Sequence, residues 1–459
     1  MIKKILLENF KAFKNAEIEI KPITVIVGPN SGGKTSLLQS ICLIQQTLRG
    51  NLDAKKPVDF GNFDSVLYQN AAIKEIRLKF DFDDETYFDV TICINKKDSL
   101  NIKNFSSNIG KYEYKVEDLK EIPDEKNAYS PRKFLFKLKE DIEYDKYFNS
   151  NATPTFYRDK FFIIPSIHQR KFKDLIEDVF DDVFDDGKLI NSSQNNDDSR
   201  VNDRKEKIRL AQTYMSLEKY SRDFYRDIMQ KFEKIAYIGP IRETAKRLYQ
   251  INHFDNIGYK GENTASIIKE NEILQEKLIE AIRKLAIANS LKISQDINNF
   301  FELNIETNIT NQTVNFADVG CGTSQIIPIL VQLLLSEKNQ MIIIEQPETH
   351  LHPKVQADFA NFIVDSIKDE KKFLIETHSE YFVERIRTCI MKNPNLANDV
   401  IIYYVEQNKE EKQSVITPIT INSEGQYSDL PDGYLTNYRL KEIDEQMDLM
   451  YKNLMDKVN

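Results

Sequence analysis

The apolar pattern of the chain changes period along its length. Ile23-Thr-Val-Ile-Val27 is a continuous, β-branched apolar run, the pattern of a strand buried on both faces of a mixed or parallel sheet. Residues 2–8 and 16–20 read as shorter strands, and a helix is predicted from Lys34 to about Leu48. Ile76-Arg-Leu-Lys-Phe80 alternates apolar with polar, and Tyr87 to Ile94 reads as another strand, so residues 1–97 form a sheet-rich lobe. From about 98 to 230 the chain turns polar and charged, with an acidic stretch from Asp174 to Asp186 and a flexible loop expected over 187–204. Residues 204–235 look helical, and Ile267, Leu274, Leu278, Ile282 and Leu285 recur at helical spacing within 264–300. Residues 98–300 are therefore expected to form a largely helical insertion, or lid.

Strand and helix alternate again in the last third. Met341-Ile-Ile-Ile-Glu345, a helix from Pro353 to about Ile367, Lys372-Phe-Leu-Ile-Glu376, a helix from Glu380 to about Met391 and Asp399-Val-Ile-Ile-Tyr-Tyr404 follow in order. This βαβαβ rhythm predicts an α/β, doubly wound core with a second lobe over 301–438 and a terminal helix over 439–459. No heptad pattern is long enough for an extended coiled coil.

Composition narrows the picture only a little. At 459 residues the chain exceeds one ordinary core and calls for two or three lobes. A net charge of −9 argues against coating nucleic acid through overall charge, and leaves a local basic groove open. Cys42, Cys93, Cys321 and Cys389 stand far apart with no CxxC pair, which points away from a zinc site or disulfide framework and fits a reducing cytoplasm. The start of the chain lacks a signal peptide's apolar region, and no run of 18 apolar residues occurs, so a cytoplasmic protein with no membrane contact is expected.

The candidate chemistry begins at Gly28-Pro-Asn-Ser-Gly-Gly-Lys-Thr35, a Gly-x4-Gly-Lys-Thr loop directly after a buried strand and before a helix. In that context the pattern is a Walker A loop for ATP. Asn30, Ser31, Gly32, Gly33 and Ser36 are assigned to the nucleotide, Lys34 to the β- and γ-phosphates, and the Thr35 hydroxyl to Mg²⁺. Met341 to Glu345 followed by Gln346-Pro-Glu348 reads as the Walker B strand, with Glu345 as the metal-side carboxylate. The position next to it, where a water-polarising carboxylate is expected, holds Gln346; a neutral Gln orients water but is a poor base. Either hydrolysis is slow or Glu348 has the catalytic role.

A second glycine loop, Asp318-Val-Gly320-Cys-Gly322-Thr-Ser324-Gln325, also precedes an apolar helix and makes a second anion-binding N-terminus. One nucleotide hardly needs both loops, so this one is assigned to ATP bound by a neighbouring protomer. Alone it would as readily be a helix cap. His378, in Glu376-Thr-His-Ser-Glu380, is placed to hydrogen-bond the γ-phosphate, against the simpler alternative of a structural histidine at a strand end. His350 and His352 lack a third ligand and read as structural loop residues rather than a metal site. Arg242 and Arg247 form a small basic cluster for which a solvated face is the common outcome.

Together with Met1-Ile-Lys-Lys-Ile-Leu-Leu-Glu-Asn-Phe-Lys-Ala-Phe13, Tyr237-Ile-Gly-Pro-Ile-Arg242 and Asp429-Leu-Pro-Asp-Gly-Tyr434, these motifs resemble bacterial ABC-type AAA ATPases, the relatives of RecF and of the overcoming-lysogenisation-defect proteins. The resemblance implies an ABC/SMC-like head that oligomerises, at least as a dimer, with ATP between subunits. It further implies Gly320 to Gln325 acting in trans and His378 acting as a switch. It is shared with ATPase subunits of anti-phage systems such as PARIS and Septu, in which the ATPase controls a nuclease. About 80 residues follow Glu380 and carry no Asp-x-Asp pattern of a TOPRIM nuclease, so the effector is expected to be a separate protein. The alternative is a RecF-like repair ATPase that clamps DNA when ATP closes the dimer.

Overall fold

The computed structural model describes residues 1–49, 58–61, 63–94, 100–108, 112–118, 132–138, 184–185, 188–189, 223, 225–294, 298–308, 310–431 and 434. Two compact units emerge. One comprises residues 1–42, 55–84 and 234–459, the other residues 43–54 and 85–233.

The first unit is organised on a six-stranded sheet. Its order is Ile235–Ile238, Met341–Glu345, Lys372–Glu376, Ile23–Val27, Val400–Asn408, Gln413–Ile419. The first five strands run parallel and the last is antiparallel to its neighbour. Three central strands, Ile23–Val27, Met341–Glu345 and Lys372–Glu376, are buried at every position. That is why they are written as continuous β-branched and apolar runs: a parallel sheet is covered on both faces.

Connections cross through capped helices. Pro353–Ser366 starts with proline in its first turn and His352 as N-cap, whose ring accepts from the Lys354 N–H. Glu380–Lys392 is capped by the Ser379 hydroxyl on the Phe382 N–H. The two helices meet through the Phe359 and Phe382 rings, 6.0 Å apart. Leu274, Leu278 and Ile282 of Glu272–Lys284, and Ile326, Ile329 and Leu330 of Cys321–Leu335, join the same apolar core as the sheet residues. A smaller antiparallel group in this unit pairs Ile2–Phe10 with both Phe13–Glu19 and Glu75–Phe82.

The second unit differs from the helical insertion expected there. Leu100–Ser107, Tyr112–Asp118 and Arg132–Leu138 are strands where helix was expected and, with Tyr87–Ile94, which was expected as a strand, form consecutive antiparallel pairs, while residues 225–233 are helical as expected. The boundary expected at residue 300 also moves, because residues from 234 onward pack with the first unit. There 264–300, read as one or two amphipathic helices, holds two, Thr264–Glu270 and Glu272–Lys284, followed by the strand Ser290–Ile293. Most of the loop expected over 187–204 and all of the terminal helix over 439–459 lie outside the described residues.

Candidate functional site

The carboxyl ends of the parallel strands converge on the turn after Val27, the usual place for a ligand in such a sheet. A cleft of about 690 Å³ opens there. Asn30, Ser31, Gly32, Gly33, Lys34, Thr35 and Ser36 line it on one side, with Gln346, Glu376 and His378 on another. Gln407 of the neighbouring hairpin donates its side-chain amide to the Ser31 carbonyl at 3.0 Å, so the hairpin braces the loop.

Within the loop, Lys34 is 4% exposed and its ammonium donates to the Gly28 and Pro29 carbonyls at 3.0 and 2.8 Å. Burial lowers its pKa, while Glu376 and Glu348 work in the opposite direction. A phosphate would take over these donated protons, giving Lys34 a built-in exchange partner. The Thr35 hydroxyl does not meet Glu345. It lies 2.8 and 3.0 Å from the two carboxylate oxygens of Glu376, at the end of the strand beside the P-loop strand.

Glu345 and Glu348 are not among the residues lining the cleft. Glu345 pairs in register with Glu376 one strand further out. Its carboxylate accepts from the Tyr237 hydroxyl at 2.8 Å and the Tyr259 hydroxyl at 3.1 Å. Glu348 accepts from the Thr377 hydroxyl and the His378 N–H, both at 2.7 Å, which fixes the turn that carries the histidine. Thus Gln346 and His378 reach the cleft and Glu348 braces it from behind. His378 itself is half-buried, and burial with the nearby Lys34 charge lowers its pKa, which favours a neutral ring.

Arg242 corrects the expectation of a solvated cluster. It is 1% exposed, and its guanidinium donates to the Gln346 carbonyl at 3.0 Å and to the Glu345 carbonyl. Burial lowers its pKa to about 10, so it stays charged at neutral pH. Gln346 has φ 43°, a left-handed conformation unusual for a side chain-bearing residue, and the Arg242 clamp holds that turn. Sequence reading had no signal for this burial, since a lone arginine after a strand looks the same in either state. Arg247 does remain exposed, paired with both carboxylate oxygens of Asp318 at 2.6 and 2.9 Å.

The second glycine loop stands apart from the cleft, with none of its residues in the lining. Gly320 is exposed and caps the helix Cys321–Leu335. Gly322 packs so closely that an added Cβ would lie 2.5 Å from the His350 carbonyl oxygen. Ser324 bonds back to the Cys321 carbonyl, and Gln325 bonds to the Arg242 backbone, accepting at 3.2 Å and donating at 3.4 Å. Those two side chains are thus engaged inside the fold, and Asp318, Gly320 and Cys321 are left exposed. No cluster of three metal-ligating side chains occurs among the described residues, and His352 is a helix cap. No described helix is long and apolar enough to cross a membrane.

Burial, and secondarily the Glu376 charge, push the Glu345 carboxyl up to about 7, with the two tyrosines pulling it back. A folded pKa above the unfolded value of 4.5 stabilises the fold below that value, and this contribution is lost as pH rises to about 7. Glu345→Gln is therefore expected to flatten the pH dependence, gaining roughly 2–3 kcal/mol on wild type between pH 5 and 8. Unfolding midpoints in metal-free buffer at the two pH values check this; parallel profiles for both proteins would exclude it.

The AAA ATPase domain family profile matches residues 1–383. An OLD nuclease of Thermus scotoductus is 23% identical over 426 residues, 91% of this chain and 66% of that protein. A DNA double-strand break repair Rad50 ATPase of Methanococcus maripaludis is 28% identical over 155 residues, 33% of this chain and 13% of that protein. The chain thus spans about 66% of the length of the first relative and much less of the second. Among solved structures, an SmcHead bound to the C-winged helix domain of ScpA aligns over 91% of this chain and 97% of that one, with a TM-score of 0.46 at 12% identity. An SMC head domain from Thermotoga maritima aligns over 92% and 99%, with a TM-score of 0.39 at 11% identity. With residues 1–383 covered by the family profile and a P-loop at the carboxyl end of a parallel sheet, this chain belongs to the AAA ATPase domain family and has a mixed α/β P-loop fold.

Proposed function

We propose that the protein is a slowly hydrolysing ATP switch that oligomerises around its nucleotide and controls a separate effector, a nuclease, in defence against phage. The observation that carries this reading is the separation of two glycine loops, one lining the cleft and the other presenting Gly320 away from it. A second copy supplying Gly320 and the helix start behind it would complete the γ-phosphate site. Gln346 and His378 face the cleft while both Glu348 oxygens are engaged, so a water-orienting amide and a neutral imidazole stand where Glu348 would have acted as the base. Bound ATP would then persist, as suits a switch. Thr35 with the acidic strand ends would hold Mg²⁺, which neutralises charge on the β- and γ-phosphates.

Light scattering after size exclusion tests the arrangement. A non-hydrolysable ATP analogue should raise the mass to at least that of a dimer, and Gly320→Glu should bind nucleotide yet remain at the mass of the free protein. An unchanged mass in the wild type removes the proposal. The effector is tested by copurification from the native operon and by plating phage on cells carrying it.

The similarity to a Rad50 ATPase favours a second reading, an ATP-closed DNA clamp. It requires ATP-dependent, salt-sensitive DNA binding by the isolated protein. Lack of binding at low salt eliminates it.

A further inference from the structure

We propose that Ile241 and Leu248 are the apolar anchors by which one copy of the chain seats on the rim of a second copy's cleft. This rests on the reading that Gly320 faces a neighbour's nucleotide, and adds the surface that holds the two copies together. Ile241 is 75% exposed although it adjoins Arg242, a fully buried side chain. Its exposure is built into the turn that follows the strand Ile235–Ile238. The Gly239 N–H donates to the Tyr259 carbonyl at 2.9 Å, and the Glu243 N–H donates to the Lys260 carbonyl at 2.8 Å. Between them Arg242 is fastened by its backbone N–H to the Gln325 side chain and by its guanidinium to the Gln346 carbonyl. With the turn tied at both ends and the arginine drawn inward, the isoleucine is left facing solvent.

Single apolar side chains on a surface are ordinary, so placement has to carry the argument. Leu248, 52% exposed, follows Arg247, whose guanidinium pairs with Asp318 and whose carbonyl accepts from the Asn315 side chain at 3.1 Å. The segment bearing both aliphatic side chains is thus tied to the second glycine loop at two points, Gln325 after Gly320 and Asp318 before it. A copy that sets Gly320 over a neighbour's nucleotide therefore brings Ile241 and Leu248 to the margin of the neighbour's cleft. That margin offers apolar surface in return. Ile73 and Tyr381 are exposed, and each follows by three positions a residue that lines the cleft, Asn70 and His378. In a two-fold pair each such contact is made twice. An anchor already held rigid by its turn also loses little freedom on association. Ile273, similarly exposed in the first turn of Glu272–Lys284, supplies the control.

Light scattering after size exclusion of the full chain, with Mg²⁺ and a non-hydrolysable ATP analogue over a series of protein concentrations, reads the contact. Ile241→Glu should need at least roughly tenfold more protein than the wild type to reach the assembled mass, because each contact would take a carboxylate out of water. Ile73→Glu, on the opposite side of the contact, should show a loss of the same kind, and Ile273→Glu should assemble at the wild-type concentration. Affinity for a fluorescent ATP analogue, measured where every variant is a monomer, should stay within about threefold of wild type. Leu248→Glu serves if Ile241→Glu does not fold. Assembly of Ile241→Glu or Ile73→Glu at the wild-type concentration overturns the proposal, as does an equal loss in Ile273→Glu or lost nucleotide affinity in the Ile241→Glu monomer. Each of these leaves the Gly320 reading standing; a wild type that does not assemble removes that reading and this one with it.

Discussion

Replacing Gly28 with alanine is expected to weaken ATP binding by on the order of 100-fold or more, about 3 kcal/mol. Gly28 has φ +144°, and a Cβ there would lie 2.1 Å from the Val405 carbonyl oxygen. Neither side can retreat cheaply. Val405 belongs to Val400–Asn408, which is locked in register against the P-loop strand up to Tyr404 opposite Val27. The loop would have to move instead, and with it the Gly28 and Pro29 carbonyls that hold the Lys34 ammonium. The strain adds about 1–3 kcal/mol of destabilisation. Lys34→Ala separates the two effects: it removes the ammonium that would meet the phosphates while leaving the backbone of the loop in place, so it should lose affinity with little change in melting temperature. Fluorescent-nucleotide titration and thermal unfolding of both variants check this. Gly28→Ala binding within about threefold of wild type would show that the hairpin yields and that the loop is not braced as described.

Much of the nucleotide-binding half was legible because its signals are local. A strand buried on both faces has to be apolar throughout, so Ile23–Val27 and Met341–Glu345 announce themselves. Helix starts follow from Pro353 and from the Ser379 cap. The antiparallel strands of the second unit were less visible. Tyr112, Tyr114 and Val116 alternate with charged residues, and Phe134-Leu-Phe136 is a short apolar run, but the charged residues around them dominate the composition and mimic an insertion of another kind. What the sequence hid most thoroughly are partnerships across long separations. Thr35 and Glu376 are 341 positions apart, and only the strand order brings the latter beside the P-loop ahead of Glu345. The motif placed an acid at the end of each strand, and register decided which one reaches the cleft.

Arg242→Met should have the broadest effect of any single change outside the P-loop, lowering ATP turnover by on the order of 100-fold and stability by roughly 3–5 kcal/mol. The guanidinium is fully desolvated and spans the carbonyls of Glu345 and Gln346, with Glu348 and Glu345 supplying the compensating negative field. A thioether of similar length fills the space but donates nothing, so two buried carbonyls lose a charged donor and the left-handed Gln346 turn loses its clamp. Arg242→Lys restores charge without restoring the fork, because one ammonium cannot reproduce the planar set of donors, and should recover stability better than turnover. Through its backbone, Arg242 also receives Gln325 from the second glycine loop, so the clamp joins the element facing the chain's own nucleotide to the element proposed to face a neighbour's. Arg247→Ala supplies the contrast. Its pair with Asp318 is exposed at 68% and 44%, and its loss should cost about 0–1 kcal/mol. Melting curves and steady-state turnover of the three variants discriminate. If Arg242→Met unfolded no more easily than Arg247→Ala, the turn after Met341–Glu345 would be held sufficiently by the sheet and by Thr349, whose hydroxyl and N–H also reach the Gln346 carbonyl at 2.9 and 3.3 Å, and the guanidinium would not be its clamp.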